Sequence, residues 1–164
     1  MAISSYKSFL MGMTSAADAS PVTWGKLADV KDTPDLGGAP EMLETTTLSD
    51  NAHTYIPGIQ ANEAKSFTLN YDKDLFDFLY SLRGKLCGYA VWLGGTEANG
   101  IATPDGSEGK YAWGGYLDVY PNGAGVNEVR NMTVTIAPAT VIGVDGTVPW
   151  GALADKAEAI TLPS

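Results

Sequence analysis

Short runs of alternating apolar and polar residues recur along this chain of 164 residues, and one run has helical spacing instead. Val22, Trp24, Lys26, Ala28 and Val30 alternate with Thr23, Gly25, Leu27 and Asp29, which predicts a first strand. The turn-rich KDTPDLGGAP then leads into a Thr-rich strand over residues 41–47. Further on, Phe67, Leu69 and Tyr71 share one face, and Ser66, Thr68 and Asn70 the other, the pattern of a half-buried strand. Tyr89, Val91 and Leu93 alternate with Gly88, Ala90 and Trp92 in CGYAVWLGG. A polar, turn-rich loop, TEANGIATPDGSEG, follows. The next long strand covers residues 110–120, with Gly114 and Gly115 marking a bulge or a close backbone approach. In VRNMTVTIAP, Met132, Val134 and Ile136 point inward and Asn131, Thr133 and Thr135 outward. One more short strand is expected before an irregular tail.

The helical run is DKDLFDFLYSLRGK. Asp72 suits the N-cap, while Leu75, Leu79 and Leu82 with Phe76 and Phe78 form an apolar stripe. Acidic residues near its start and Arg83 and Lys85 near its end complement the helix dipole, and Gly84 suits the position after the C-cap. A helix over about residues 73–83 follows, covering one face or end of a sheet. About seven strands and this helix predict a mainly β chain, a β-sandwich or barrel with one flanking α-helix. The expected organisation is an N-terminal arm over 1–21, a sandwich domain over 22–142 and a C-terminal arm over 143–164.

One stretch resists that scheme. LETTTLSDNAHTYIPGIQ, residues 43–60, starts like a strand but lacks the alternation that would bury one side of it. It predicts a strand edge running into a long loop over about residues 47–64, a segment that its own domain does not cover.

Composition narrows the function classes. Hydrophobic residues make up 45% and charged residues 18%, as in soluble globular proteins. A net charge of −9, with ten Lys and Arg spread through the chain, makes no basic face for gripping phosphates, which argues against intimate binding to nucleic acid but not against passive proximity to it. Cys87 is the only cysteine, so no disulfide forms within the chain. SYKSFLMGMTSAADAS imitates a signal peptide, but its apolar run is short and interrupted by Gly12. An uncleaved arm and synthesis in the cytosol are expected.

Catalytic chemistry finds little footing. The single histidine, His53, sits in a polar loop without a G-x-S-x-G elbow, and one His with one Cys cannot complete a usual zinc set. DGSEG and VDGT lack the spacing of a calcium loop, and GGTEANG lacks the Walker Lys and Ser. No catalytic residue, cofactor or metal is expected. Trp24, Trp92, Trp113 and Trp150 with eight tyrosines supply either core packing or an exposed stacking platform. The second option would make the chain a monomeric carbohydrate-binding β-sandwich module.

The run DLGGAPEMLETTTLSDNAHTYIPGIQ followed by FTLNYD resembles the N-terminal half of siphophage major tail proteins, the tail tube subunits. The resemblance follows the order of elements over roughly residues 22–140 and is most specific at 36–72. It implies a non-enzymatic virion protein whose hexameric rings stack into a hollow tube around a tape-measure protein. Tail terminator and tail-tip proteins would be further partners, and double-stranded DNA would pass through the lumen without specific binding. Under that expectation the assembly candidates are Leu43, Thr45, Thr46, Thr47, Asp50, His53, Tyr55, Ile56, Pro57 and Ile59. A strand edge that completes a neighbour's sheet and a loop ordered by neighbours would explain the uncovered stretch.

Overall fold

In the computed structural model, residues 7–15, 19, 21–37, 39–60, 62–140, 142–144 and 157–162 are described. They form nine strands and one helix: β1 (Ser8–Met13), β2 (Trp24–Asp29), β3 (Pro40–Glu44), β4 (Tyr55–Gln60), β5 (Lys65–Asn70), α1 (Lys73–Ser81), β6 (Leu86–Ala98), β7 (Ile101–Pro121), β8 (Asn131–Pro138) and β9 (Gly143–Val144). One antiparallel sheet runs β2-β1-β6-β7-β8-β5, with β9 added on β7, while β3 and β4 pair apart as a second sheet.

The main core lies on one face of the large sheet. Phe67 and Leu69 of β5, Tyr89 and Val91 of β6, Trp113 and Leu117 of β7, and Met132, Val134 and Ile136 of β8 are all buried there. The period-2 pattern read from the sequence therefore selects the buried side of β5 and β8 correctly. Helix α1 closes this core with Leu79 buried and Leu75, Phe76 and Phe78 packed against it. Its start is set by Asp72, whose Oδ1 accepts the Asp74 N–H at 2.9 Å, and Leu82 is its C-cap. Gly84 just beyond has φ +82°, a left-handed position that favours glycine.

Three expectations need correction. Ser8–Met13 is not part of an arm: β1 lies between β2 and β6. Its residues are buried on both faces, Leu10 in the main core and Phe9 and Met11 in a second cluster with Ala90 and Ala112. A strand covered on both sides loses the alternation by which strands are recognised. The tail is not wholly an arm either, since Glu158 bridges to Cys87, the Ile160 N–H donates to the Met13 carbonyl at 2.8 Å, and Ile160 is buried.

The polar stretch 96–109 was expected to be a loop, yet most of it is strand. β6 and β7 run on past Leu93 into a second ladder from Gly95↔Pro104 to Ala98↔Ile101. Asn99 (φ 54°) and Gly100 (φ 77°) turn the chain there, and Asn-Gly supplies the two left-handed residues of a tight hairpin. What remains of the loop is residues 105–108, which bulge from β7 opposite Gly94. Trp150 and most of VDGT, at 144–147, lie outside the described residues.

Candidate assembly surface

The unusual stretch forms a β-hairpin. Leu43 pairs with Ile56, Glu44 with Tyr55 and Met42 with Pro57. Beyond the named strands the Thr45 N–H still donates to the Thr54 carbonyl at 2.8 Å. The expected loop over 47–64 is thus a turn followed by a strand. Tyr55 and Ile56 are good strand formers, and Pro57 is tolerated because a two-stranded sheet consists only of edges. The strand of LETTT, expected to seek a partner outside its domain, is paired by its own chain on one side. Near the base the register slips between Pro40 and Met42. There a Cβ on Gly58 would stand 2.9 Å from the Glu41 carbonyl oxygen, so the two backbones approach where only glycine fits.

Opposed residues in an antiparallel pair share a face. Leu43 and Ile56 project to one side, and Met42, Tyr55 and Pro57 to the other, while Ile59 lies beyond the register slip, opposite Glu41. These large apolar side chains, proline aside, are between 46% and 88% exposed. None of them joins the cores of the large sheet. A hairpin apolar on both faces and covered on neither is only marginally stable alone in water.

The polar candidates have a different task. Thr45 and Thr54 hydroxyls lie 3.0 Å apart, and Thr46 Oγ1 accepts the Thr54 N–H at 3.0 Å. Asp50 Oδ2 accepts the Thr47 N–H at 2.7 Å, and the Thr47 hydroxyl meets that of Ser49 at 3.0 Å. His53 Nδ1 and Glu44 Oε1 are 2.6 Å apart. The tip is therefore ordered by its own threonines, Asp50 and His53, while the apolar side chains remain free for contact. Two apolar residues of the same hairpin escaped the sequence reading: Met42, on β3, and Leu48, fully exposed at the tip. Their exposure follows from the pairing of β3 with β4, which the missing alternation concealed.

Among the described residues the His53 ring meets Glu44 and, at a centroid distance of 6.5 Å, Tyr55, neither of them in a nucleophile–base pair. Among the described residues no group of three or more His, Cys, Asp or Glu stands together as a metal site. In DGSEG, Asp105 spends Oδ1 on the Ser107 N–H at 2.9 Å, and this bond holds its carboxyl below the usual carboxylate range. That is a turn, not a calcium loop. An aromatic platform fares no better: Trp113 is fully buried, and the Trp92 ring lies under Lys110 Nζ, 4.4 Å from the ring centroid.

Residues 4–81 match the family model of the phage tail tube protein, TTP. Over those residues the chain is similar to the phage tail tube protein family. The family is structural and not enzymatic, a component of the virion tail. Solved structures carry the likeness of fold across the remainder of the chain. The PVC sheath/tube terminator of an extracellular contractile injection system aligns with a TM-score of 0.60 at 10% identity, over 88% of this chain and 97% of that one. A chain of the anti-feeding prophage baseplate aligns with a TM-score of 0.58 at 9% identity, over 88% and 95%. The SPP1 tail tube aligns with a TM-score of 0.58 at 11% identity, over 90% and 81%. At such identities the likeness is one of fold alone. No curated protein matches the chain.

Proposed function

We propose that this chain is the tube subunit of a phage tail, closing into hexameric rings that stack into a hollow conduit for double-stranded DNA. The observation that carries this reading is the β3–β4 hairpin, which exposes Leu43 and Ile56 on one face and Met42 and Tyr55 on the other. Two apolar faces on one projecting element suit burial between neighbouring copies, which would supply the cover that its own domain lacks. Thr45, Thr46, Thr47, Asp50 and His53 hold the tip in shape for that contact, and Pro57 stiffens the second strand.

A subunit that joins its copies through two different surfaces makes rings where the rotation closes and filaments where it does not, and stacked rings use both kinds of contact. The partners on this reading are further copies, a tape-measure protein inside the tube, and terminator and tip proteins at its ends. The net charge of −9 suits a conduit. A net negative lumen wall would repel phosphates over about 8 Å at physiological salt and leave the duplex free to slide.

Electron microscopy of the concentrated protein tests the reading, and rings or tubes are the expected result. A protein that stays monomeric at high concentration, with or without tube fragments as seeds, would overturn it, and glycan binding by that monomer would put a carbohydrate module in its place.

A further inference from the structure

The large sheet is open, with β2 and β5 as its terminal strands, and the β5 end is stopped by a specific contact. Thr68 lies in the middle of β5. Its carbonyl accepts the Lys31 N–H at 2.8 Å, and its own N–H donates to Asp32 Oδ1 at 2.9 Å. The Thr68 hydroxyl reaches Asp32 Oδ2 at 3.4 Å, and Lys31 Nζ donates to Asn131 Oδ1 at 3.1 Å. On the outer edge of β5, therefore, a backbone N–H and a side-chain carboxylate occupy the places where the N–H and C=O of a further strand would stand. Backbone groups alternate in direction along a strand, so Ser66 and Asn70 turn theirs to the same outer side.

We propose that residues 31–32 are a removable plug on an assembly edge, and that the terminal strand β2 of a second copy takes their place on β5. This rests on the tube reading above. Three observations favour a plug over a permanent seam. It engages one residue of a six-residue strand. Lys31 and Asp32 are both exposed, so little packing holds them down. The exchange is also nearly neutral in hydrogen bonds at Thr68 itself, because an incoming carbonyl replaces the carboxylate, while pairing at Ser66 and Asn70 adds bonds that the plug does not make.

The choice of β2 as occupant follows from the open sheet. β2 is the opposite end, so joining β2 of one copy to β5 of the next is a head-to-tail contact of the kind that builds rings and filaments. Residues 31–32 also follow directly on β2, which ends at Asp29. Capture of β2 by one neighbour would tug the plug of the same subunit away from its own β5 and prepare that edge for the next copy. Before capture the plug blunts an edge that would otherwise template unregulated pairing.

Asp32→Ala removes the carboxylate that accepts the Thr68 N–H, while Asp32→Asn keeps an oxygen acceptor and removes only the charge. In the free subunit the Thr68 amide of the alanine variant should exchange with solvent about tenfold faster than in the wild type. Within tubes the two should be equally protected, because a neighbour's strand then makes the bond. Light scattering should show the alanine variant polymerising faster and from lower concentrations, with the asparagine variant close to wild type. If the alanine variant fails to fold, Lys31→Pro removes the N–H on the other half of the plug, and the same two readouts apply. Tubes in which the Thr68 amide of either variant exchanges as fast as in the free subunit overturn the plug, as does polymerisation unchanged from wild type. A wild-type chain that makes no tubes even when seeded overturns the tube reading instead.

Discussion

Phe67 of β5 and Trp113 of β7 lie parallel, their ring centroids 6.4 Å apart and their planes 4° apart, although β8 separates the two strands. In register, Phe67 faces Val134 and Val134 faces Val119, so Trp113 stands well along β7 from the level of Phe67. On a flat sheet that offset would be roughly 20 Å at about 3.4 Å per residue. The rings meet because the sheet curls over its own core, and the pair pins that curl. Both are fully buried, and the indole N–H of Trp113 finds no acceptor among the described residues. Trp113→Ala should lower stability by about 3–5 kcal/mol. Trp113→Phe should lose much less, since it gives up no hydrogen bond. Urea denaturation of both variants checks this, and equal losses would show that the N–H is bonded after all.

Two glycines give a matched pair. A Cβ on Gly115 would stand 2.4 Å from the Ala137 carbonyl oxygen on β8, and backbone cannot swing aside as a side chain can. Gly115→Ala should therefore force β7 and β8 apart and cost about 1–3 kcal/mol. Around Gly123, in the loop after β7, nothing lies within 4 Å of an added Cβ. Gly123→Ala should be neutral or stabilise by up to about 1 kcal/mol through a stiffer unfolded chain. Thermal melts of the two variants should separate in opposite directions from wild type.

Burial raises the Cys87 thiol above its ordinary range, and burial does the same to its neighbour Tyr89. Both groups are held in their neutral form in the folded chain. Their contribution to stability is present below their unfolded pKa values and is lost as pH rises beyond them, so the fold should weaken at alkaline pH. Native protein at pH 8 should be alkylated at Cys87 at least about a hundredfold more slowly than urea-unfolded protein. Comparable rates in the two states would place the thiol at the surface.

How much of this was legible depended on whether one face of each element met water. β5 and β8 alternate cleanly because Phe67, Leu69, Met132, Val134 and Ile136 are buried while Ser66, Asn70 and Thr133 are not. Helix α1 was legible from Asp72 and the leucine stripe. β1 was not, because Phe9, Leu10 and Met11 are buried on alternating faces and leave no polar phase. The hairpin failed for the opposite reason. Leu43 and Ile56 on one side and Met42 and Tyr55 on the other are all exposed in the single subunit, so burial by this chain imposed no pattern on them. The correct signal was the resemblance of the whole run, and the residues it singled out do lie together on one element. The Asn99-Gly100 turn was written in the sequence and passed over in favour of the polar character around it.

The hairpin makes the sharpest test of a role outside the subunit. Tyr55 and Ile56 lie on opposite faces of β4, are 57% and 50% exposed, and belong to no core of the large sheet. Surface changes away from packed features usually move stability by no more than about 0.5 kcal/mol, so Ile56→Asp and Tyr55→Asp should each melt close to wild type. Burial between copies would turn the same charges into a severe penalty, because an unpaired carboxylate cannot be desolvated cheaply. Each variant should therefore stay folded and monomeric under conditions in which wild-type protein gives tubes by electron microscopy. The two need not fail alike. If the Leu43–Ile56 face meets a neighbour within the ring and the Met42–Tyr55 face meets the next ring, Ile56→Asp should stop ring closure while Tyr55→Asp yields separate rings. Normal tubes from both variants would remove the hairpin from the assembly altogether.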